Sequence, residues 1–370
     1  MNEKKIIPAL TGIRAICVYL IFFYHLNFFS PVLQPVLYSI LNEFYCFLSF
    51  FFVLSGFLIY YKYSEISSFN KTTLYNYFVN RMARVYPILL ILISATFFIG
   101  FYHHYYSGRE TIKLYLLNVT LLKGFSAKYW LTGIGPSWSM SVEELFYLLS
   151  PLIFLCAKNI GSLIKTVLIF YGIGLLLTLF FHFFPFENFF GSFLFTAYST
   201  FFGRAFEFAC GIFLGMIVKG EIKNIFFEWL GNKALYLGLS IIILSVAFLY
   251  FIAAHYAIPH ATDSWPGIIV NNILLPVGIT IFFYSLIYYE SFIHQFLSSK
   301  VMVQLGNSTY SFYLLHTTFV LSYIFKFIST NIFIAFICMI LISFIFHKLV
   351  EQPLAVLVRK RFHKKQTILL

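Results

Sequence analysis

Arg14 and His25 are the first residues in this sequence whose types and spacing can do chemistry. They lie eleven positions apart inside the apolar run TGIRAICVYLIFFYHLNFF, residues 11–29. Eleven residues make about three helical turns with roughly 20° left over, so both side chains share one face, about 16 Å apart along the axis. An ionisable group is expensive inside a bilayer and turns to the bundle interior or to a wet cavity. Arg14 alone is explained by snorkelling to the nearer surface. Two such groups on one face predict a lined cavity, with a cation near the cytoplasmic surface and an imidazole base toward the outer side.

Five further stretches hold polar or charged residues to be weighed. NRMARVYP places Arg81 and Arg84 at i and i+3 at the cytoplasmic start of the third apolar segment, followed by Pro87. Two guanidiniums can fork onto phosphate oxygens, but the excess of Arg at cytoplasmic span ends accounts for the pair without a ligand. GPSWSMSVEELFYLLSP, residues 135–151, offers Ser137 or Ser139 as a helix cap, with Glu143 or Glu144 supporting the first turns. Capping employs one carboxylate, leaving the other to orient a histidine and raise its basicity. GRAFEFACGIFLG sets Arg204 three residues before Glu207 within an apolar segment, where an ion pair that eases insertion and a ligand role fit equally. LGNSTYSFYLLHTTF carries Gly306, Ser308, Ser311, Tyr313 and His316, and its spacing does not bring Ser311 and His316 onto one face as a Ser–His dyad. HKLVEQPL, with Glu351 and Pro353, reads as a helix stop.

The elements that position these residues are membrane spans. The chain of 370 residues is 61% hydrophobic and only 10% charged, with a mean hydropathy of +0.87, beyond the roughly half-apolar usage of a soluble domain. The pattern predicts an all-α integral membrane protein with about ten spans, at 8–29, 38–60, 83–104, 138–157, 162–184, 198–218, 234–256, 267–289, 309–328 and 331–350. MNEKK followed by an apolar run resembles a signal peptide, but Arg14, His25 and the lack of a small-residue cleavage site predict that the segment stays as a span. The 50 Phe and 27 Tyr fit lipid contact, packing and interfacial belts. Cys17, Cys46, Cys156, Cys210 and Cys338 stand singly in apolar segments, so neither a metal site nor a disulfide framework is expected.

The formal charge of +12 sits mostly at span ends and in loops, where topology and anionic head groups explain it better than nucleic acid does. With both termini cytoplasmic, Lys62, Lys71, Arg81, Arg84, Lys158, Lys165, Lys219, Lys223, Lys233, Lys300 and the RKRFHKK tail all fall inside. The loop 105–137 fits least well, since it would lie outside yet carries Arg109, Lys113, Lys123 and Lys128. Its stretch TIKLYLLNVTLL is too short to cross and is expected to be interfacial or re-entrant.

Taken in order, these motifs resemble one family, the membrane-bound acyltransferase 3 enzymes, which O-acylate and mostly O-acetylate bacterial surface glycans and related molecules. Its first-span pattern of Arg or Lys, ten residues and His is matched by Arg14 and His25, and its RxxR by Arg81 and Arg84. Its Trp-Ser-x-Ser-x-Glu stretch is matched by Trp138, Ser139, Ser141 and Glu143, and its late Gly-to-His element by Gly306–His316, with Thr309 where Ser is common. The resemblance implies a stand-alone membrane form, with an acyltransferase domain over 1–358 and a basic cytoplasmic tail over 359–370, in a bacterial inner membrane. It further implies acetyl-coenzyme A or another acyl-coenzyme A as donor, a carbohydrate acceptor that can be lipid-linked, and no metal. Arg14, Arg81 and Arg84 would hold the donor phosphates, and His25 would act as base with Glu143 as its orienting carboxylate. A polytopic transporter or flippase is the competing reading, with Arg14, His25, Arg204 and Glu207 lining a substrate or proton path.

Overall fold

The computed structural model describes residues 7–29, 31–64, 71–103, 108–223 and 225–363. The MNEKK head and Lys364 and Lys365 of the tail lie outside the described residues. Among the described residues, nine helices are long and apolar enough to cross a bilayer: α1 (Pro8–His25), α2 (Pro35–Tyr63), α3 (Lys71–Tyr102), α4 (Gly135–Cys156), α5 (Ile160–Phe183), α6 (Phe193–Val218), α7 (Lys233–Tyr256), α8 (Trp265–Tyr288) and α9 (Ile332–Phe362). The described residues are 82% helical and include no strand, apart from one antiparallel bridge between Ser126 and Phe189. It is an all-α polytopic membrane protein. Hydrocarbon offers backbone groups no partner, so each span satisfies its own. For the same reason α5 and α7 can turn Leu168, Leu176, Ile243 and Phe251 outward.

The helices group into two compact units. The first comprises the described residues of Met1–Tyr63, Cys156–Phe186 and Phe190–Thr309. Its helices approach closely where glycines face backbone: a Cβ on Gly211 of α6 would overlap the Val53 carbonyl oxygen of α2. Small residues of this kind let apolar helices pack in a membrane, where lipid supplies no hydrophobic drive. α2 is not one straight rod. A short helix, Pro35–Asn42, turns through Glu43 and a tight Phe44–Phe47 turn into the long helix Leu48–Tyr63.

The second unit comprises the described residues of Ser64–Leu155, Glu187–Phe189 and Tyr310–Leu370. Here α3 begins well before the expected 83, so Arg81 and Arg84 lie within a continuous helix rather than at its start. The helix Gly108–Val119 doubles back along α3, with the Tyr115 hydroxyl 3.0 Å from Ser94 Oγ and its ring edge-on to Phe97. The 105–137 region therefore holds a short returning helix, and it does not cross.

The expected span at 309–328 is broken. Thr309–Leu315 and Phe319–Phe327 are separate helices of 7 and 9 residues, about 10 and 14 Å long against a hydrocarbon core of roughly 30 Å. The HTT sequence between them supplies the reason. Thr318 Oγ1 donates back to the Leu315 carbonyl at 2.7 Å and accepts the Val320 N–H, so it ends one helix and caps the next. At the other end, HKLVEQPL does not stop its helix. A wide turn over His347–Glu351 absorbs Pro353, and the helix runs on to Phe362.

Candidate functional site

In the first unit α1 runs unbroken from Pro8 to His25, so the shared face and the axial separation of about 16 Å hold for Arg14 and His25. Arg14 is half-buried and His25, the last residue of the helix, is exposed. The His25 ring lies against Tyr24, with centroids 4.7 Å apart.

Arg204 and Glu207 of α6 are fully buried and paired, with Nε 2.7 Å from Oε2. The guanidinium also donates to Asn272 Oδ1 at 2.8 Å and lies over the rings of Phe52 and Tyr198. Asn272, presented by a wide turn in α8, donates in turn to the carbonyls of Ala197 and Gly203. The pair thus ties α8 to α6, and the ion-pair reading of GRAFEFACGIFLG is the one the contacts fit.

Sequence reasoning missed a second polar group in this unit. At the corner of α2, the fully buried Glu43 carboxylate accepts from the Tyr45 hydroxyl at 2.7 Å and from the Ala261 N–H at 3.2 and 3.3 Å. The Tyr45 oxygen accepts from the Thr262 N–H at 3.3 Å. One charge among ILNEFYCF gave no spacing signal to find it by.

In the second unit Arg81 and Glu144 line a cavity of about 280 Å³ with Tyr86, Ser141 and Tyr147. The Arg81 guanidinium is 5.5 Å from the centre of the Tyr147 ring. Glu144 Oε1 is buried and has no hydrogen-bond partner among the described residues, so the cavity offers both a cation and an acceptor. Arg84, Glu143, Glu144 and Glu351 all come within electrostatic reach of the Tyr310 phenol, which donates to the Val85 carbonyl at 2.6 Å.

Two distant motifs meet in this unit. Ser139 and Tyr313 place their hydroxyls 2.8 Å apart, and both reach the Pro136 carbonyl. Ser137 donates to the Ile134 carbonyl, so neither serine caps α4 as expected; each is drawn to a carbonyl behind it. Ser141 fastens the Leu121 carbonyl, and the buried Trp138 packs edge-on to Trp130. Ser311 and His316 do go separate ways: Ser311 donates to Glu351 at 2.6 Å, while His316 Nδ1 is 2.7 Å from the Tyr313 carbonyl. His347 Nδ1 lies 2.8 Å from the same Glu351 oxygen. Serine and histidine both converge on the carboxylate, which is not the serine-to-histidine order of a nucleophilic triad.

The three lysines of the returning segment are accounted for locally. Lys113 and Lys128 pair with Glu187, and together with the Tyr129 hydroxyl they hold its carboxyl down at about 2. Lys123 is fully buried and donates to the carbonyls of Thr132 at 2.6 Å and Ile134 at 2.8 Å. Burial pushes its amine down to about 7.

The acyltransferase 3 family model, described as an acyltransferase domain, matches residues 7–348. Neither the search of curated proteins nor that of solved structures gives a match. With the match covering nearly the whole chain, this multi-pass membrane protein belongs to the acyltransferase 3 family and is an acyltransferase.

Proposed function

We propose that the protein is an O-acyltransferase of a bacterial cytoplasmic membrane that moves an acyl group, acetyl in the first instance, from cytoplasmic acyl-coenzyme A to a hydroxyl of a surface glycan or related carbohydrate. The observation that carries this reading is α1, one uninterrupted helix that bears Arg14 and His25 eleven positions apart, in a chain of the acyltransferase 3 family. The N-terminus is assigned to the cytoplasm, in keeping with the lysines that flank α2, α4 and α6, and the C-terminus joins it there if the two short helices of 309–327 together complete a tenth crossing.

In this reading Arg14, Arg81 and Arg84 bind the donor phosphates, for which charge-assisted forks are suited. The His25 imidazole takes the proton of the acceptor hydroxyl as its oxygen attacks the thioester carbonyl. The carbon–sulfur bond breaks, the proton passes to the departing thiolate, and the products are an ester and free coenzyme A. A positioned general base of this kind is worth roughly 10²- to 10⁴-fold. Glu143 is the proposed second catalytic group.

Membrane vesicles supplied with labelled acetyl-coenzyme A test the proposal. Label is expected in the glycan fraction with stoichiometric release of thiol, whereas a transporter or flippase does neither. His25→Ala is expected to abolish transfer while the protein remains inserted, and retained turnover would sink the assignment. Glu143→Gln keeps the shape, removes the charge and is expected to lower kcat.

A further inference from the structure

The buried Glu43 carboxylate has an unusual set of partners for a structural group. Besides the Tyr45 hydroxyl, it takes the N–H of Ala261 on both oxygens, and Tyr45 takes the N–H of Thr262. The two side chains therefore clamp the backbone of the α7–α8 connection to the corner of α2. The residue preceding the clamp is His260. Its ring is edge-on to Tyr45 and to Tyr24, 5.4 and 5.8 Å between centroids, and its Nε2 is 3.5 Å from the Tyr24 hydroxyl. Tyr24 in turn carries His25 on its other side. Tyr24 and His260 are half-buried beside the exposed His25, with His260 Nδ1 turned inward and Nε2 toward the Tyr24 hydroxyl, and Asp263 is exposed nearby in the chain.

We infer that Tyr24 and His260 form the acceptor subsite of the His25 centre, that it takes a hydroxyl-rich sugar ring, and that Glu43 is the positioning residue that holds it in place. This rests on the reading of His25 as the base. Aromatic walls with a few convergent polar groups are what an orienting site for such a ligand requires. Burial holds the His260 imidazole below its ordinary range, so at neutral pH the ring is uncharged; with Nδ1 buried, Nε2 and the neighbouring Tyr24 hydroxyl are the polar pair a sugar hydroxyl can match. Glu43 touches no ligand. Its work is to fix the loop, because a polar site left loose by an ångström loses much of its effect.

The test separates binding from transfer. Purified protein in detergent is titrated with the polysaccharide fraction of the producing cells, freed of O-acyl esters by mild base, and binding is read as a rise in melting temperature. His25→Ala is expected to bind like the wild type and not transfer. His260→Ala and Tyr24→Ala are each expected to weaken binding about tenfold, the scale of one lost hydrogen bond. Glu43→Gln is expected to raise KM for the polysaccharide while KM for acetyl-coenzyme A stays put, a split that general destabilisation would not produce. His260 stands in a connecting loop, so its variant serves even where a Glu43 variant folds poorly. The inference is overturned if the wild type does not bind the polysaccharide, if His260→Ala binds it equally well, or if the donor KM is what moves. Continued transfer by His25→Ala, with binding lost in His260→Ala, would remove the base assignment and leave the subsite standing.

Discussion

The hydroxyls of Ser139 and Tyr313, 174 positions apart in the chain, meet at 2.8 Å and share the Pro136 carbonyl. Three oxygens here have two protons between them. Removing either side chain leaves the other still bonded to the carbonyl, whereas removing both strips that carbonyl of its side-chain donors. Ser139→Ala and Tyr313→Phe are therefore each expected to cost about 1 kcal/mol. The double variant should cost more than their sum by about 0.5 kcal/mol, the low end of couplings between neighbouring groups, because only then is the carbonyl left without a side-chain donor. Thermal unfolding in detergent measures this, and strict additivity would separate the two hydroxyls.

That contact also marks what could be read in advance. Apolar runs long enough to cross are visible without any tertiary information, because a span satisfies its own backbone, and nine of the ten expected spans differ from the observed helices only at their ends. The broken segment at 309–328 was hidden because Thr318 looks like any β-branched residue until its hydroxyl is seen to end one helix and cap the next. Fixed spacing singles out Arg14 with His25 and Arg81 with Arg84 as candidates. It does not disclose the partners of Glu43, Glu144 and Glu351, which lie far off in sequence or in a cavity that only folding makes. The loop lysines misled for a related reason: counted as free charges, Lys113 and Lys128 in fact face Glu187 and Lys123 is buried.

Arg81 lines a cavity with Glu144, and Arg84 is not among the residues that line it, so the two arginines should not contribute equally. Arg81→Ala is expected to weaken acyl-coenzyme A by roughly 10- to 100-fold, the loss of a charge-assisted hydrogen bond of about 1.5 to 3 kcal/mol. Arg81→Lys should recover little of it, because a point charge does not reproduce the guanidinium fork. The measurement is the donor KM at saturating acceptor. An unchanged value in Arg81→Ala would take this cavity out of donor binding.

Glu187 makes stability depend on acid. Its folded carboxyl, held at about 2 by Lys113, Tyr129 and Lys128, lies below its unfolded value. The stabilisation is therefore complete above the unfolded value and is lost as pH falls toward the folded one. Melting temperatures of the wild type should drop between about pH 5 and 2.5 by more than those of Glu187→Gln, which starts lower and has no such group to protonate. Parallel curves would mean the cluster contributes nothing.

Lys123 works in the opposite sense. Its amine, pushed down to about 7 by burial, is neutral in the folded protein at mildly alkaline pH while the unfolded chain still binds the proton. Stability should therefore rise as pH goes from about 7 toward 10. A neutral amine has two N–H donors, matching the carbonyls of Thr132 and Ile134. Lys123→Met should abolish the rise, so that it destabilises more as pH goes up, and near pH 7 it should cost about 1 to 3 kcal/mol through the carbonyls it leaves unpaired. A wild-type melting curve flat over that range would show the lysine to be charged and satisfied as it stands.

Arg204 and Glu207 separate an architectural ion pair from a substrate or proton path. Both are fully buried and joined at 2.7 Å, so removing one partner strands a charge in a place with little means of solvating it. Arg204→Met alone is expected to destabilise by about 3 to 5 kcal/mol, and Glu207→Leu alone by a similar amount. Replacing both at once removes the stranded charge, and the double variant should recover most of the loss because an apolar pair of similar volume avoids the desolvation cost. If the pair is architectural, that double variant also transfers acyl groups from acetyl-coenzyme A at near wild-type rate per folded molecule. A double variant that folds, melts normally and is inactive would instead place the pair in the chemistry or on the route to it.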